Sequence, residues 1–253
     1  MRFANVVMFL STLAVLSACA AIEGTQGADP YEADNRNAHA INKDLDKALL
    51  RPASKAYDAA VPQPVAKGVR NVGENLATPS YVINNALQGD VEGVGTGTLR
   101  FAVNTTFGIA GIFDVASALG LPKEKADFGQ TLHVWGASQG GYVEVPALGP
   151  STERDLVGRV VDAVINPVTA MIPSEAVDAT QGVKAANIMD ARASLGTTLD
   201  DVLYNSADSY AQTKTLYLQN RQRELNAAVT SSLLHDDAAQ DEGYDDIYED
   251  IYE

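Results

Sequence analysis

Apolar positions recur at helical spacing over most of the chain. A first helix is predicted behind Asp29, because an aspartate followed by Pro30 in the first turn is typical of a helix start. Its apolar positions, three or four residues apart, are Ala38, Ile41, Leu45, Ala48 and Leu49. We predict that this helix ends at Arg51, because a proline disfavours helical backbone at the residue before it.

The same spacing predicts further helices. One begins at Pro62, and another begins at Pro79 and ends at Gly89. The longest run, from Thr197 to Asn226, holds neither Gly nor Pro and predicts one helix about 45 Å long. Strand signals are scarce, and the best is Tyr142–Val145. The whole pattern predicts a mostly α single domain without internal repeats.

One apolar stretch does not fit a simple helix. The 22 residues between Arg100 and Lys123 carry a single charge, Asp114, and several glycines. They are too polar and too interrupted by glycine for an ordinary membrane-spanning helix. Two structures are open: a hairpin buried in the core, which the stretch itself favours, or a segment lying along a membrane with its apolar face in lipid.

The beginning of the chain has the pattern of a bacterial lipoprotein signal. A positive Arg2 precedes an apolar run over residues 6–16, which is too short to span a bilayer but has the length of a secretory leader. Cys19 is the only cysteine. We therefore predict a signal peptide at residues 1–18, lipid (palmitate among its chains) on Cys19, and a linker over residues 19–28. The alternative is an ordinary signal peptide with a chance cysteine.

The residue after that cysteine indicates in which of the two membranes a lipoprotein is retained. In many Gram-negative bacteria an aspartate there retains a lipoprotein in the inner membrane, whereas this chain has Ala20. We therefore expect the outer membrane.

Charge is unevenly distributed along the chain. The net charge is −15, and nine acids with no Lys or Arg lie between residues 236 and 253. Self-repulsion predicts a disordered acidic tail over residues 229–253, behind a helical domain over residues 29–228. The chain has no basic patch, which argues against binding of nucleic acid.

One motif suggests an enzyme. Gly136–Gly140 matches G-x-S-x-G, in which Ser138 would be the nucleophile of a hydrolase. The extended segment behind it ends in proline, the only later histidine is His235, and no strand–helix alternation precedes it. His39 and His133 also lack a second ligand at helical spacing. We predict no catalytic residue, no metal and no cofactor.

Several short blocks, found in one order, resemble the VacJ/MlaA family of outer-membrane lipoproteins. The early blocks are Asp29-Pro-Tyr-Glu, Leu50-Arg-Pro-Ala53, Val61-Pro-Gln-Pro-Val65, Asn84-Asn-Ala-Leu-Gln-Gly89 and Phe113-Asp-Val-Ala116. The most specific blocks are Gly120-Leu-Pro, Asp127-Phe-Gly-Gln-Thr-Leu132, Trp135-Gly136 and Leu148-Gly-Pro-Ser-Thr152. The resemblance covers residues 29–224, so the hydrolase motif inside it is a coincidence.

The resemblance implies a fold and a function. Members look like a ring of amphipathic helices around a central channel, embedded in the inner leaflet of the outer membrane. They sit beside porin trimers, remove phospholipids mislocalised to the outer leaflet, and pass them to a soluble periplasmic carrier protein, which maintains lipid asymmetry. A membrane-anchored esterase using Ser138 and a porin-associated scaffold without lipid flux are the alternatives.

A channel for phospholipid headgroups needs polar walls, because polar groups are costly to bury without partners. We expect four polar side chains of the apolar stretch to line such a wall: Asn104, Thr105, Thr106 and Asp114. Trp135 and Tyr142 are expected either to anchor the ring at the membrane interface or to pack in the core.

Overall fold

A computed structural model describes residues 29–168 and 176–252, with side chains described up to residue 231. The signal peptide, Cys19 and the linker lie outside these residues. The first helices are α1 Glu32–Leu45, α2 Arg51–Ala60, α3 Gln63–Gln88, α4 Val91–Thr106, α5 Val115–Ala118 and α6 Phe128–Val134. The hairpin of β1 Tyr142–Val145 and β2 Gly149–Thr152 follows, and then come α7 Glu153–Ile165, α8 Val177–Ser194, α9 Gly196–Asp200 and α10 Ser209–Tyr252. Among the described helices, none is both long and apolar enough to cross a membrane.

The first helix does not end at Arg51, so that prediction is wrong. A π-helical turn, Asp46–Leu50, joins α1 to α2 without a break. The N–H of Arg51 bonds the carbonyl of Asp46, five residues back. Pro52, which has no N–H, follows where the register changes, so the wider turn accommodates the proline.

The two helices predicted around Pro79 are one helix, α3, of 26 residues. Its end at Gly89, which has a left-handed backbone with φ of +79°, is confirmed. Side-chain donors compensate the backbone near the internal proline. Thr78 donates to the carbonyl of Glu74 at 2.9 Å, and Asn166 donates to that of Leu76 at 3.3 Å. The helix is about 39 Å long and is the spine of the domain.

The predicted strand Tyr142–Val145 is confirmed and pairs with β2 in antiparallel register. Asn35 of α1 fastens the hairpin: its Nδ2 donates to the carbonyl of Tyr142 and its Oδ1 accepts from the N–H of Glu144, both at 2.8 Å. The side chain of Asn35 therefore serves as one more pairing position at the free edge of β1.

The single helix predicted from Thr197 is broken. A π-helical turn follows α9, Ser206 is extended with ψ of 152°, and α10 begins at Ser209. Asp208 caps the new helix by accepting from the N–H of Ala211 at 3.0 Å, a local bond that competes with helix continuation.

The backbone of α10 is helical to Tyr252, where the run of acids predicts disorder. Residues 209–252 contain no proline. A helix that has already begun gains one backbone hydrogen bond for each added residue, which offsets repulsion between neighbouring charges.

The interior is more polar than that of an ordinary soluble domain. Among the described residues, eight buried apolar side chains stand against 22 buried polar or charged ones. As many as 22 large apolar side chains are exposed. The mostly α single domain is as predicted, but hydrogen bonds and ion pairs, rather than a large apolar core, determine how its helices meet.

A buried ion cluster holds α10 against α6 and α7. Arg221 donates to both carboxylate oxygens of Asp127 at 2.7 Å and to Asp155 at 2.9 Å. Tyr217 donates to the other oxygen of Asp155 at 2.8 Å. Gly129 leaves room for the cluster, because a Cβ there would lie 2.7 Å from both Arg221 Nη2 and Asp155 Oδ1.

The start of the described chain is also fastened to α10. Asp29 accepts hydrogen bonds from Tyr210 and, at 2.9 Å, from the ammonium of Lys214. Burial of the Asp29 carboxyl would raise its pKa, but these hydrogen bonds outweigh burial and hold the pKa below its usual value. Asp29 and α10 together form a clasp between the two ends of the domain.

We expect Arg221→Met to destabilise the fold by about 3–5 kcal/mol, because the change removes the closest cation of buried Asp155 and leaves only Arg154, at 3.7 Å. This corresponds to a fall in Tm of roughly 6–20 °C in thermal unfolding followed by circular dichroism. Arg223→Met, at an exposed position of the same helix, is the control and should change stability by less than about 0.5 kcal/mol. Equal Tm values for the two variants would show that the cluster is dispensable.

Candidate functional site

A polar cleft, partly open to solvent, lies beside α3 and α4. Helix α3 contributes polar positions that recur every three or four residues and therefore share one face, and α4 contributes a second such face. The segment between α4 and α6 completes the wall. The lining residues are Asn71, Glu74, Asn75, Thr78 and Tyr81 of α3, Gly97, Arg100 and Asn104 of α4, and Asp114, Lys123, Glu124 and Lys125.

Asp114 connects α4 with the segment that follows it. Its carboxylate accepts from Arg100 at 2.8 Å, from the Asn104 amide at 3.2 Å and from the Ser117 hydroxyl at 2.6 Å. Burial alone would raise the pKa of Asp114, but the bonds from Ser117 and Asn104 and the charge of Arg100 hold it well below its usual range. Asp114 is therefore ionised under all ordinary conditions.

Two lysines share one carboxylate on the opposite wall. Glu74 accepts from Lys123 at 2.5 Å and from Lys125 at 3.3 Å. Burial opposes ionisation of Glu74, and the two ammonium groups outweigh it, so its pKa is lowered. Because each ammonium has three donors and neither lysine is fully buried, both retain N–H groups that can reach a ligand.

A second cavity, of about 700 Å³, borders the same stretch of α3 from the side of α8. Glu74 and Tyr81 line both cavities. Burial raises the pKa of Tyr81 to about 12, so its hydroxyl stays protonated. The two cavities are therefore separated only by the side chains of α3.

Gly73 permits the close approach of α8 to α3 at the second cavity. A Cβ at this position would lie 1.9 Å from Nδ2 of Asn187. The carbonyl oxygen of Asn187 is buried without a hydrogen-bond partner, as is that of Asn75 in the first cavity. Each cavity thus has one buried amide oxygen that can accept a hydrogen bond.

Of the four polar residues expected to line a channel wall, Asn104 and Asp114 line the cleft. Thr105 and Thr106 are exposed and are not among the residues that line the cleft. Thr105 accepts from the Asn75 amide at 3.0 Å, and Thr106 donates to the carbonyl of Ala102 at 2.6 Å. The sequence pattern did not predict five other lining residues: Glu74, Tyr81, Lys123, Glu124 and Lys125. The polar face 71, 74, 75 and 78 is a sequence signal that points to α3.

The two aromatic residues differ in position. Tyr142 is 4% exposed and donates to Glu144 at 3.0 Å, so it packs in the core rather than at an interface. Trp135 is 55% exposed, and its indole N–H donates to the carbonyl of Leu87 at 2.9 Å. Only Trp135 is placed so that it could face a membrane.

The apolar stretch behind α4 is not a buried hairpin, so that expectation is wrong. Phe107 is 75% exposed, and other large apolar side chains of the stretch are exposed with it: Ile109, Ile112, Phe113 and Leu119. Gly111, with φ of +93°, brings the loop onto Asn75, where a Cβ would lie 2.5 Å from the asparagine Cβ. The polar side of this loop closes the cleft while its apolar side faces outward.

The serine motif does not form a nucleophile elbow. Helix α6, not a strand, precedes Gly136, and the segment behind Ser138 leads into β1 rather than a helix. Ser138 is exposed, and no hydrogen bond joins it to a histidine among the described residues. His133 bonds the guanidinium of Arg154 at 3.2 Å instead. Of the other two histidines, His39 is buried against Glu144 at 2.9 Å and the side chain of His235 is not described.

We expect Asp114→Asn to lower the free energy of unfolding by about 1–2 kcal/mol at pH 7, because Arg100 loses its carboxylate. The lowered pKa in the fold means that the stabilising effect is present above the unfolded-state value of about 3.9 and is lost as the pH falls further. Urea unfolding of both proteins at pH 7 and pH 2.5 should show the difference narrowing at the lower pH. A constant difference would contradict the role of ionised Asp114.

Comparison with known proteins places this fold. The family model "MlaA lipoprotein" matches residues 27–224. The intermembrane phospholipid transport system lipoprotein MlaA of Haemophilus influenzae is 30% identical over 235 residues, covering 89% of this chain and 92% of that protein. The corresponding protein of Escherichia coli K12 is 31% identical over 217 residues, or 83% of each chain.

An uncharacterized protein of Rickettsia felis is 34% identical over 183 residues, or 72% of each chain. A solved structure, described as the structural basis for maintenance of bacterial outer membrane lipid asymmetry, superposes with a TM-score of 0.64 at 30% identity. It covers 81% of this chain and 99% of the solved chain. With most of its length matched by family model, relatives and fold, this chain belongs to the MlaA lipoprotein family.

Proposed function

We propose that this protein is a lipid-anchored outer-membrane lipoprotein that removes phospholipids mislocalised to the outer leaflet and passes them to a periplasmic carrier. The observation that carries the proposal is the distribution of polarity: a charged cleft inside, and large apolar side chains outside. The names of the Haemophilus and Escherichia relatives, which are lipoproteins of an intermembrane phospholipid transport system, support it.

The apolar exterior supports a position within one leaflet of the membrane. The exposed Phe107, Ile109 and Phe113 come from one loop, and Leu99 and Val65 are exposed on the neighbouring helices. Exposed apolar side chains in such number mark contact with a membrane or another protein. Helices that do not span a bilayer can lie in one leaflet with their apolar faces in lipid. We propose that this domain lies in the inner leaflet of the outer membrane.

The two cavities on either side of α3 support a passage for headgroups. A phospholipid headgroup that crosses hydrocarbon loses its hydrogen bonds to water, which costs several kcal/mol for each polar group. Lining side chains such as Asn104, Asp114 and Glu74 can replace those bonds along the path. Lowering this barrier needs no bond to be made or broken, so we propose transport without catalysis.

The resemblance to the family supplies the proposed partners. They are an outer-membrane porin trimer beside the domain and a soluble carrier protein on the periplasmic side. An esterase using Ser138 is disfavoured because, among the residues whose side chains are described, no histidine is bonded to it, and because the required turn is absent there. No contact in the described residues favours a scaffold without lipid flux over transport.

We expect deletion of the gene in its own host to raise surface phospholipid, measured with an outer-leaflet phospholipase added to intact cells. Complementation by Ser138→Ala should restore the wild-type level, because the serine has no role in transport. Cys19→Ala should fail, since the protein then lacks its anchor, and Asp114→Leu should restore only part of the activity. Failure of Ser138→Ala would revive the hydrolase, and an unchanged surface after deletion would favour the scaffold.

The single tryptophan gives a direct test of membrane position. Because Trp135 is exposed on the domain, its emission should shift to shorter wavelength when the lipidated chain enters vesicles. Lipids brominated near the headgroup should quench it more strongly than lipids brominated near the end of the acyl chain. Phe113→Asp should weaken the quenching, whereas Asp58→Asn, at an exposed polar position, should not. Absence of quenching by either lipid would contradict the proposed position.

A further inference from the structure

The charges lining the cleft beside α3 and α4 balance in number but not in pairing. Three cations face three carboxylates, so the lining is neutral overall: Arg100, Lys123, Lys125, Glu74, Asp114 and Glu124. Glu74 contacts both lysines, and Asp114 contacts Arg100 at 2.8 Å and Lys123 at 3.3 Å. Two carboxylates therefore hold all three cations, and the lysine end of the cleft carries a surplus positive charge.

Glu124 is the carboxylate left over. It is partly buried, and no ion pair or hydrogen bond to it occurs in the part of the chain that the structure describes. Burial and the negative charges of Asp90 and Glu92 together raise the pKa of Glu124. A cationic ligand group would relieve this repulsion, because an opposite charge within a few ångströms favours the ionised carboxylate.

Asn75 adds a second demand on the ligand. The residue is 5% exposed, lines the cleft, and has a carbonyl oxygen without a hydrogen-bond partner. Its amide nitrogen is already committed to Thr105. A phosphate oxygen cannot satisfy a bare carbonyl, because both only accept, whereas an N–H of a primary ammonium can.

We propose that the cleft binds a phospholipid headgroup that carries both a phosphate and a primary ammonium. The phosphate lies against Lys123 and Lys125, and the ammonium faces Glu124 and donates to Asn75. The assignment rests on the proposed function, and it adds a preference for zwitterionic over anionic phospholipids. An anionic headgroup such as phosphoglycerol would satisfy the lysines, and its hydroxyl groups could donate to Asn75, but it brings no positive charge to Glu124.

The preference can be measured by native mass spectrometry of the full lipidated chain in detergent. An equimolar mixture of phosphatidylethanolamine and phosphatidylglycerol with identical acyl chains is added, so that only the headgroup differs. Wild type should retain the zwitterionic lipid about two- to fivefold over the anionic one, the size of one partly exposed charge contact. Glu124→Gln, which keeps the shape and removes the charge, should reduce this ratio to about one.

Two further variants separate the parts of the site. Lys125→Gln should lower retention of both lipids and leave their ratio as in wild type, because it removes a phosphate contact. Asp178→Asn, an exposed position outside the cleft, makes the same change in net charge as Glu124→Gln and should leave the ratio unchanged. Thermal unfolding of each variant shows that differences in binding do not come from misfolding.

Each result either supports or overturns the assignment. Equal retention of the two lipids by wild type, or an unchanged ratio in Glu124→Gln, would overturn the headgroup preference and leave lipid transport intact. Retention of neither lipid would contradict the proposed function itself. Free phosphoethanolamine, tested alone, should bind far more weakly than the lipid, and equally tight binding would assign the cleft to a soluble compound instead.

Discussion

The buried guanidinium of Arg221 is the interaction on which the rest of the structure depends. It brings Asp127 at the start of α6 and Asp155 in the first turn of α7 to one point on α10. Arg221 and Asp155 are buried whereas Asp127 is partly exposed, and the two buried ions are stable only in close contact, because each is costly to bury alone. Because Asp127, Asp155 and Arg221 belong to different helices, their contact fixes where α6, α7 and α10 meet. Gly129, which leaves the space, is as necessary to the junction as the charges are.

A polar interior explains why the fold and the candidate site are made from the same kind of contact. A second cluster, in which Arg192 bridges Asp46 and Asp200 at 2.7 Å, joins the π-helical turn Asp46–Leu50 to the end of α9. In a soluble protein, apolar side chains would hold these helices together and polar groups would face water. Here apolar surface is left for the exterior, so the specificity of helix packing comes from directional bonds. The charged walls of the cleft are therefore made of the same ion pairs and hydrogen bonds that hold the helices together.

Residue patterns predict where the helices and strands of this protein lie better than they predict where one helix ends and the next begins. The helical faces, the strand Tyr142–Val145 and the end at Gly89 are all visible in residue spacing. The breaks expected at Pro52 and Pro79 do not occur: a π-helical turn precedes Pro52, and α3 continues through Pro79. Asp114 and Asn104 could be selected as polar residues in an apolar stretch. The polar face that contains Glu74 also points to α3, but the contact of Glu74 with Lys123 joins positions 49 residues apart and is not visible in the sequence.

The clasp between Asp29 and α10 has a mechanical meaning. Ten peptide units separate Cys19 from Asp29 and extend at most about 36 Å, so the lipid proposed on Cys19 would keep the domain within that distance of the membrane. A force on the segment between Cys19 and Asp29 would enter the fold at Asp29 and pass through its bonds with Lys214 and Tyr210 into α10. Asp29 also accepts from the side-chain amide of Asn35 in α1 at 3.1 Å, so the force would be shared between α1 and α10. Movement of the anchor would therefore act on both ends of the domain together rather than on one helix end.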